Sequence, residues 1–538
     1  MREIDMLRFF RKRRNPKQLG RDLRETNQSQ VNVDEYAANV KDAPVSSDLD
    51  ENEQRVKEVF DHCSDIVFRR LVINDETEAL IIFVDGIVNS DHINDNILIP
   101  LLLEYTTIPD HVSPEALQEK RVSLTQLTRM TRIPKIVDGV LAGNVALFVT
   151  GYEECLMLNV IGGTRRSVAE PSGETVIRGP REGFVENLRT NTALLRFRLK
   201  STRLKTKPFI IGEETRTNVV LAYLEGIADP GVIEEAEKRL KAIKIDGVLE
   251  TGYLEELMEE QPFSPFPQFQ YTERPDTVAG QLLEGKFAIF VDGTPFVLTA
   301  PVTVWQMIQA TEDYYERFLI GTTLRWLRFI FAAIALLTPA MYIAISTYHQ
   351  DMLPTTLVLS LAASRESIPF PAIVEAMIME IVFEALREAG IRLPRTIGQA
   401  VSILGALVIG QAAVQAGIVS APMVIIVSIT GIASFTIPKY NFAIAIRVLR
   451  FPLMFLAAAL GLFGIVIGMV WIVLHLCHLR SFGVPYLSGI SPYQKNMMKD
   501  LFVRAPWWNM KYRPITFNKQ NRRRVELQAH PTQNQQEE

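Results

Sequence analysis

The chain has 538 residues, 48% of them apolar and 22% charged, and a formal net charge of −4, a balance that excludes bulk attraction to nucleic acid. The mean hydropathy of +0.10 averages two unlike halves: residues 1–328 have a soluble composition, whereas residues 329–479 are dense in Leu, Ile, Ala, Val, Gly and Phe. A wholly soluble protein and a transporter made only of membrane helices are therefore both excluded.

Residues 1–50 are polar and poor in hydrophobes, which predicts a disordered arm. Its basic start, RFFRKRRNPK, either touches anionic lipid headgroups or simply solubilises the chain. Met1–Arg24 has no apolar core of the kind a signal peptide needs, so none is expected. Cys63, Cys155 and Cys477 lie far apart and form neither a disulfide framework nor a metal-binding pair. They fit a reducing, cytosol-facing soluble half.

An internal echo follows. ALIIFVDGIV (Ala79–Val88), GNVALFVTGY (Gly143–Tyr152) and GKFAIFVDGT (Gly285–Thr294) each set a β-prone run before a Gly turn. Asp-Gly between such runs is a hairpin signal. The second and third copies also follow helix-like stretches, DGVLAG and AGQLLEG. Two α+β subdomains are expected, at 51–195 and 196–310, related by duplication. A basic linker (Leu194–Lys207), an amphipathic helix (Glu234–Ile243) and a Pro- and aromatic-rich loop (Pro262–Pro275) complete this half.

A bilayer core of ~30 Å needs about 20 apolar residues. Phe329–Tyr348 is uncharged for 20 residues, Thr396–Pro438 for 43 and Phe451–Leu479 for 29. The fold class expected is thus an α+β cytoplasmic region followed by an all-α polytopic membrane domain at 311–479. It would have four or five spans, at about 329–348, 396–417, 423–438 and 451–479, with a broken or re-entrant segment at 353–389. A basic polar tail fills 480–538. Arg317, Arg325 and Arg328 before the first span place the N-terminal region in the cytoplasm by the positive-inside rule. Lys439, Arg447 and Arg450 read as a further cytoplasmic edge, as do Arg387, Arg392 and Arg395. Five crossings put the tail outside. Four put it inside, which its ten Lys/Arg against four Asp/Glu also favour.

The segment Leu353–Gly390 is unlike the others. Twelve apolar residues precede Arg365 and Glu366. Pro369 and Pro371 then break the helix, and a second helix carries Glu375, Glu380, Glu384 and Glu388. The last three share a face, opposite Ile373, Met377, Ile381, Val382 and Leu386. Charges at membrane depth tend to face a cavity or a partner. Two readings stay open. Ser364, Glu366, Glu375, Glu380 and Glu384 line a cation path, as rings of carboxylates do. Alternatively the acidic face lies on the membrane surface in water, with Arg365–Glu366 a local ion pair.

Enzymatic chemistry is not expected. Gly280–Phe287, GQLLEGKF, meets GxxxxGK, but Phe287 stands where Ser or Thr would bind Mg²⁺, and the order of strand and helix is reversed. His475, Cys477 and His478 lack further ligands to close a metal site. No cofactor or metal is expected.

Longer blocks carry a resemblance. VIRGPREGFVENLRTNTALLRFRLKSTRLK (Val176–Lys205), LTQLTRMTRIPKIVDGVL (Leu124–Leu141), AASRESIPFPAIVEAMIMEIVFEALREAG (Ala362–Gly390) and TGIASFTIPKYN (Thr430–Asn441) resemble the A subunits of GerA-family spore germinant receptors. The likeness runs from about Asn52 to Tyr493. It implies a multi-pass protein of the spore inner membrane, with its N-terminal region on the core side. Its implied partners are a B subunit similar to amino-acid transporters, a lipoprotein C subunit and copies of itself in a ring, of which a pentamer is one form. Such a ring would conduct monovalent cations when nutrient binds. The resemblance equally implies two alternatives: an A-type paralogue amplifying germination with the dipicolinate-release system, or a non-conducting scaffold.

Overall fold

The computed structural model describes residues 43–73, 77–88, 90–99, 127–160, 170–392 apart from 172, and 410–514, with 517, 521, 523 and 524. The expected N-terminal arm lies almost wholly outside the described residues.

Two five-stranded antiparallel sheets form the soluble half. The first contains β1 (Ile66–Ile73), β2 (Thr77–Val84), β3 (Leu127–Met130), β4 (Asn144–Val149) and β5 (Cys155–Asn159), in the order β1-β2-β4-β5-β3. The second contains β6 (Leu204–Ile211), β7 (Thr217–Leu224), β8 (Gln270–Thr272), β9 (Phe287–Val291) and β10 (Val297–Ala300), in the order β6-β7-β9-β10-β8. The two orders are the same permutation. The helices before β4 and β9, α2 (Ile133–Leu141) and α6 (Pro275–Glu284), both have Pro in the first turn, where a missing N–H does no harm.

Period-two alternation splits each sheet into two buried faces. Leu80, Ile82, Ala146 and Phe148 pack beneath α1 (Leu49–Val59) and α2, while Ile81, Val145 and Leu147 face a second core. Val219, Leu221 and Ile289 pack with α4 (Pro230–Ala242) and α5 (Thr251–Met258), and Val220, Ala222 and Phe290 pack with α6.

Two expectations change here. Asp292–Gly293 does turn β9 into β10, and Thr150–Gly151 turns β4 into β5. Asp85–Gly86 closes no hairpin, because β2 pairs with β1 and β4 instead. Gly86 (φ 80°) lies under the backbone of Arg189, where a Cβ would come within 3.0 Å of its carbonyl oxygen. The second change concerns α3 (Leu188–Arg198). Its Leu194 and Leu195 pack on the second sheet, so the expected boundary at 195/196 falls inside a helix. The fully buried Arg196 returns to the first subdomain, donating Nε and Nη2 to Asp65 at 2.8 Å each.

Among the described residues, two helices are long and apolar enough to cross a membrane. The first, α7 (Phe318–Tyr348), begins eleven residues before the expected span. Its first turns pack on the soluble half, where Arg325 and Arg328 meet Asp313. Then come α8 (Thr355–Arg365), α9 (Ala372–Arg392), a short helix at Gly410–Gln415 and α10 (Ala421–Phe435). Most of the expected span 396–417 lies outside the described residues. The second long element, α11 (Tyr440–His478), is not one rod. Gly461 has φ 62° and ψ −143°, a region open essentially only to glycine. One ring, Phe266, sits 6.0 Å from both Phe442 and His475, near opposite ends of the element. A straight helix would hold those residues about 50 Å apart at 1.5 Å per residue. The expected span 451–479 is therefore the turn and the two arms of a hairpin. Tyr348, at the far end of α7, donates its hydroxyl to Ala458 O at 2.7 Å beside the turn.

The tail returns to the soluble half. Ser481 Oγ donates to Gln268 O at 2.7 Å, Arg325 pairs with Asp500 at 3.0 Å, and Arg513 Nε donates to Leu283 O at 2.7 Å. Residues 480–514 thus lie on the same side of the membrane helices as the two sheets.

Candidate functional site

Charged groups gather on α9, which packs among the apolar helices α7, α10 and α11. Pro369 and Pro371 separate it from α8, since each forces the preceding residue out of the helical region. Pro371 also accepts from Val374 N and Glu375 N at 2.9 and 3.2 Å, opening α9 without an N–H of its own to lose. Both prolines are exposed.

The carboxylates of α9 face protein. Arg365, at the end of α8, reaches back to Glu375 at 3.1 Å, and Ser420 N donates to the same carboxylate at 3.0 Å. Glu380 accepts from Arg450 Nη1 at 2.5 Å, and Arg450 Nε donates to Ala335 O at 2.8 Å. Glu384 accepts from Arg447 at 3.0 Å and from Arg387 at 2.9 Å. Arg387 also donates to Ser434 Oγ at 2.9 Å and stacks 4.7 Å over Phe435. Three carboxylates and four guanidiniums thus form a ladder tying α8, α9, α10 and α11 together. The ladder is not fully satisfied: among the described residues Glu380 Oε1, Arg447 Nε and Arg450 Nη2 are buried without a hydrogen-bond partner, so the pairs offset only part of the cost of burying their charges.

This arrangement differs from both sequence readings. Glu375 and Glu380 are fully buried inside one chain, so they face neither surface water nor an open lumen. Arg365 pairs with Glu375 rather than Glu366. Of the apolar face, Ile381 points outward at 55% exposure, whereas Ile373 and Met377 pack against α7, α10 and α11. Arg447 and Arg450 are not edge markers: both are buried, and Arg450 lies three helical turns beyond Lys439. Lys439 pairs with Glu174 of the soluble half at 2.6 Å.

The remaining sequence candidates sit elsewhere. Ser364 is half-buried, with its Oγ donating to Leu361 O at 2.8 Å. Glu366 is exposed at the break. No residue of α8 is buried, and Leu359 is 65% exposed. Glu388 is exposed and pairs with Arg392 at 2.6 Å. Sequence reasoning missed Arg365, Arg387, Arg447 and Arg450 as partners of the acidic face. The usable signal was their placement: like the carboxylates of α9, they stand in or beside otherwise apolar runs, where charges seek partners. His475 holds Ser264 Oγ at 2.7 Å rather than a metal. Among the described residues no His/Cys/Asp/Glu cluster could hold an ion.

Comparison with known proteins gives a consistent picture. The family model described as Bacillus/Clostridium GerA spore germination protein matches residues 54–516. The chain is 58% identical to the uncharacterized membrane protein YfkQ of Bacillus subtilis, over 89% of this chain and 93% of that one. It is 44% identical to spore germination protein KA of Bacillus subtilis, over 90% of this chain and 89% of that one. It is 38% identical to spore germination protein GerLA of Bacillus cereus, over 85% and 94%. The solved N-terminal domain of the A subunit of the Bacillus megaterium spore germinant receptor GerK3 is 35% identical. It aligns over 48% of this chain and 97% of that one, with a TM-score of 0.39.

Proposed function

The chain belongs to the GerA family of spore germination proteins, and from that premise we propose that it is the A subunit of a nutrient-gated cation channel in the spore inner membrane. The soluble half faces the spore core. Copies of the chain form a ring, a B subunit receives the nutrient, and a lipoprotein C subunit completes the receptor. The reading rests on one observation above all. Helix α8 lies between two membrane helices, yet buries none of its residues within one chain. An apolar helix left uncovered there can face lipid, but the polar Ser364 and Glu366 at its end call for a neighbouring copy or a lumen. Ring closure around α8 supplies both, and brings Ser364 and Glu366 to the lumen. A carboxylate repeated around a ring attracts cations.

In this scheme α9 is frame rather than lining. Its ladder to Arg447 and Arg450 fixes α8 through Arg365–Glu375. A nutrient shifts the closed–open balance only through different affinity for the two states, and the Pro369–Pro371 break is the place where α8 can move on a fixed α9. The test is potassium release from spores carrying Glu366→Gln or Ser364→Ala at matched protein levels. Slowed or altered release is expected from Glu366→Gln. Normal release in both variants would favour a scaffold.

A further inference from the structure

A second polar site lies away from the membrane ladder. The stretch GQLLEGKF, set aside as a phosphate loop, ends in Lys286, whose side chain is fully buried at the start of β9. Its Nζ donates to Gln306 Oε1 at 2.7 Å and lies 5.5 Å over the Phe517 ring. Both partners are uncharged. Arg513 is also largely buried, and its guanidinium donates to neutral acceptors: Leu283 O, Asn521 O and Oδ1, and Arg523 O. Among the described residues no carboxylate lies within ion-pair distance of either cation.

Both cations border a cavity of about 390 Å³. Its other charged walls do not neutralise them. Lys439 is paired with Glu174, Arg524 with Glu284, and Asp276 with Arg274. Those pairs cancel, which leaves Arg513, and Lys286 whenever it is protonated, as uncompensated positive charge facing the space. A buried cation without a counter-charge is costly. Burial accordingly pushes the Lys286 ammonium down to about 7, with neighbouring Lys439 adding to the fall and Glu284 opposing it. Tyr314, Tyr315 and Trp507 supply aromatic wall.

From this geometry we infer that the cavity is a binding site for a small anion, a carboxylate or phosphate group held by Lys286 and Arg513. The site joins four parts of the chain: helix α6, the segment leading into α7, the start of α11 at Lys439, and the C-terminal stretch carrying Trp507 and Arg513. An anion there ties the soluble half to the first and last membrane helices. The inference is independent of whether the chain conducts ions.

The source of the anionic group is either a soluble ion or a lipid headgroup, and one experiment separates them. The full chain is placed in nanodiscs of phosphatidylcholine alone, and its melting temperature is followed against inorganic phosphate or citrate, with sodium chloride at equal ionic strength as reference. A parallel set uses discs containing phosphatidylglycerol without added anion. Specific stabilisation by phosphate or citrate assigns a soluble ligand. Stabilisation by phosphatidylglycerol alone assigns a headgroup. In either case Lys286→Met and, independently, Arg513→Gln are expected to weaken the half-saturating concentration, or the lipid effect, at least tenfold. Arg513→Gln leaves the buried lysine in place, so it reads the site even if the first variant folds poorly. No stabilisation beyond sodium chloride in either set would overturn the inference. So would stabilisation that both variants retain.

Discussion

Removing either partner of Glu380–Arg450 should be far worse than removing both. The two side chains are each 1% exposed and meet at 2.5 Å. Arg450→Met leaves a buried carboxylate with its other oxygen already unpartnered. Glu380→Met leaves a buried guanidinium with Ala335 O as its remaining acceptor. Each change strands a charge away from water, at about 3–5 kcal/mol. The double variant strands no charge and leaves only Ala335 O without its donor, so its cost should be at most about 1–3 kcal/mol. The expected coupling is therefore several kcal/mol, far above the ~0.5 kcal/mol scatter of independent sites. Denaturation of the four proteins in lipid bicelles, followed by circular dichroism, measures it. Additive single effects would refute the reasoning, because they would mean that the two groups do not hold each other in the folded chain.

Four further variants have outcomes set by the same structure. Gly461→Ala should destabilise by about 2–4 kcal/mol, because it combines a glycine-only backbone with a Cβ 2.7 Å from His349 Cε1. Gly483→Ala, at φ 75° with no atom within 4 Å, should lose only about 1 kcal/mol in the same melt. Lys286→Met should raise stability in anion-free buffer, and by more at pH 6 than at pH 9. The folded lysine holds its proton only below about 7 and the unfolded one up to about 10.4, so the native chain gains stability as pH rises between those values. A stability difference independent of pH would contradict this. Arg196→Met strands Asp65 and should cost about 3–5 kcal/mol, seen as earlier protease cleavage between the two sheets.

The soluble half was legible where short-range patterns sufficed. Apolar β-prone runs such as ALIIFV gave strands, and helix-like stretches preceded the second and third of them, which became β4 and β9. The boundary at α3 was not legible, because Arg196 and Asp65 are 131 residues apart and the helix serves both subdomains. In the membrane half, composition gave the apolar runs but not their ends. The start of α7 is held by Asp313 and Asp500, contacts that no hydropathy window contains. The hairpin at Gly461 was hidden because Leu460–Gly464 is apolar throughout. The informative number was length, since 39 residues is nearly twice what one crossing needs. The acidic face of α9 was found, but its partners are 63 and 70 residues away at Arg447 and Arg450. Their sequence neighbourhood pointed to an interface instead.

The central claim is that α8, and not the paired face of α9, borders the ion path. The most direct test is cation current through the chain reconstituted with its partner subunits, in a background with Cys477→Ser. Ser364→Cys, Glu366→Cys and Glu380→Cys are each exposed to a charged thiol reagent during nutrient-evoked current. The account predicts rapid block at positions 364 and 366 and none at 380, which is sealed against Arg450. Block at 380 with none at 364 or 366 would contradict it, as would the absence of any current from the complete assembly.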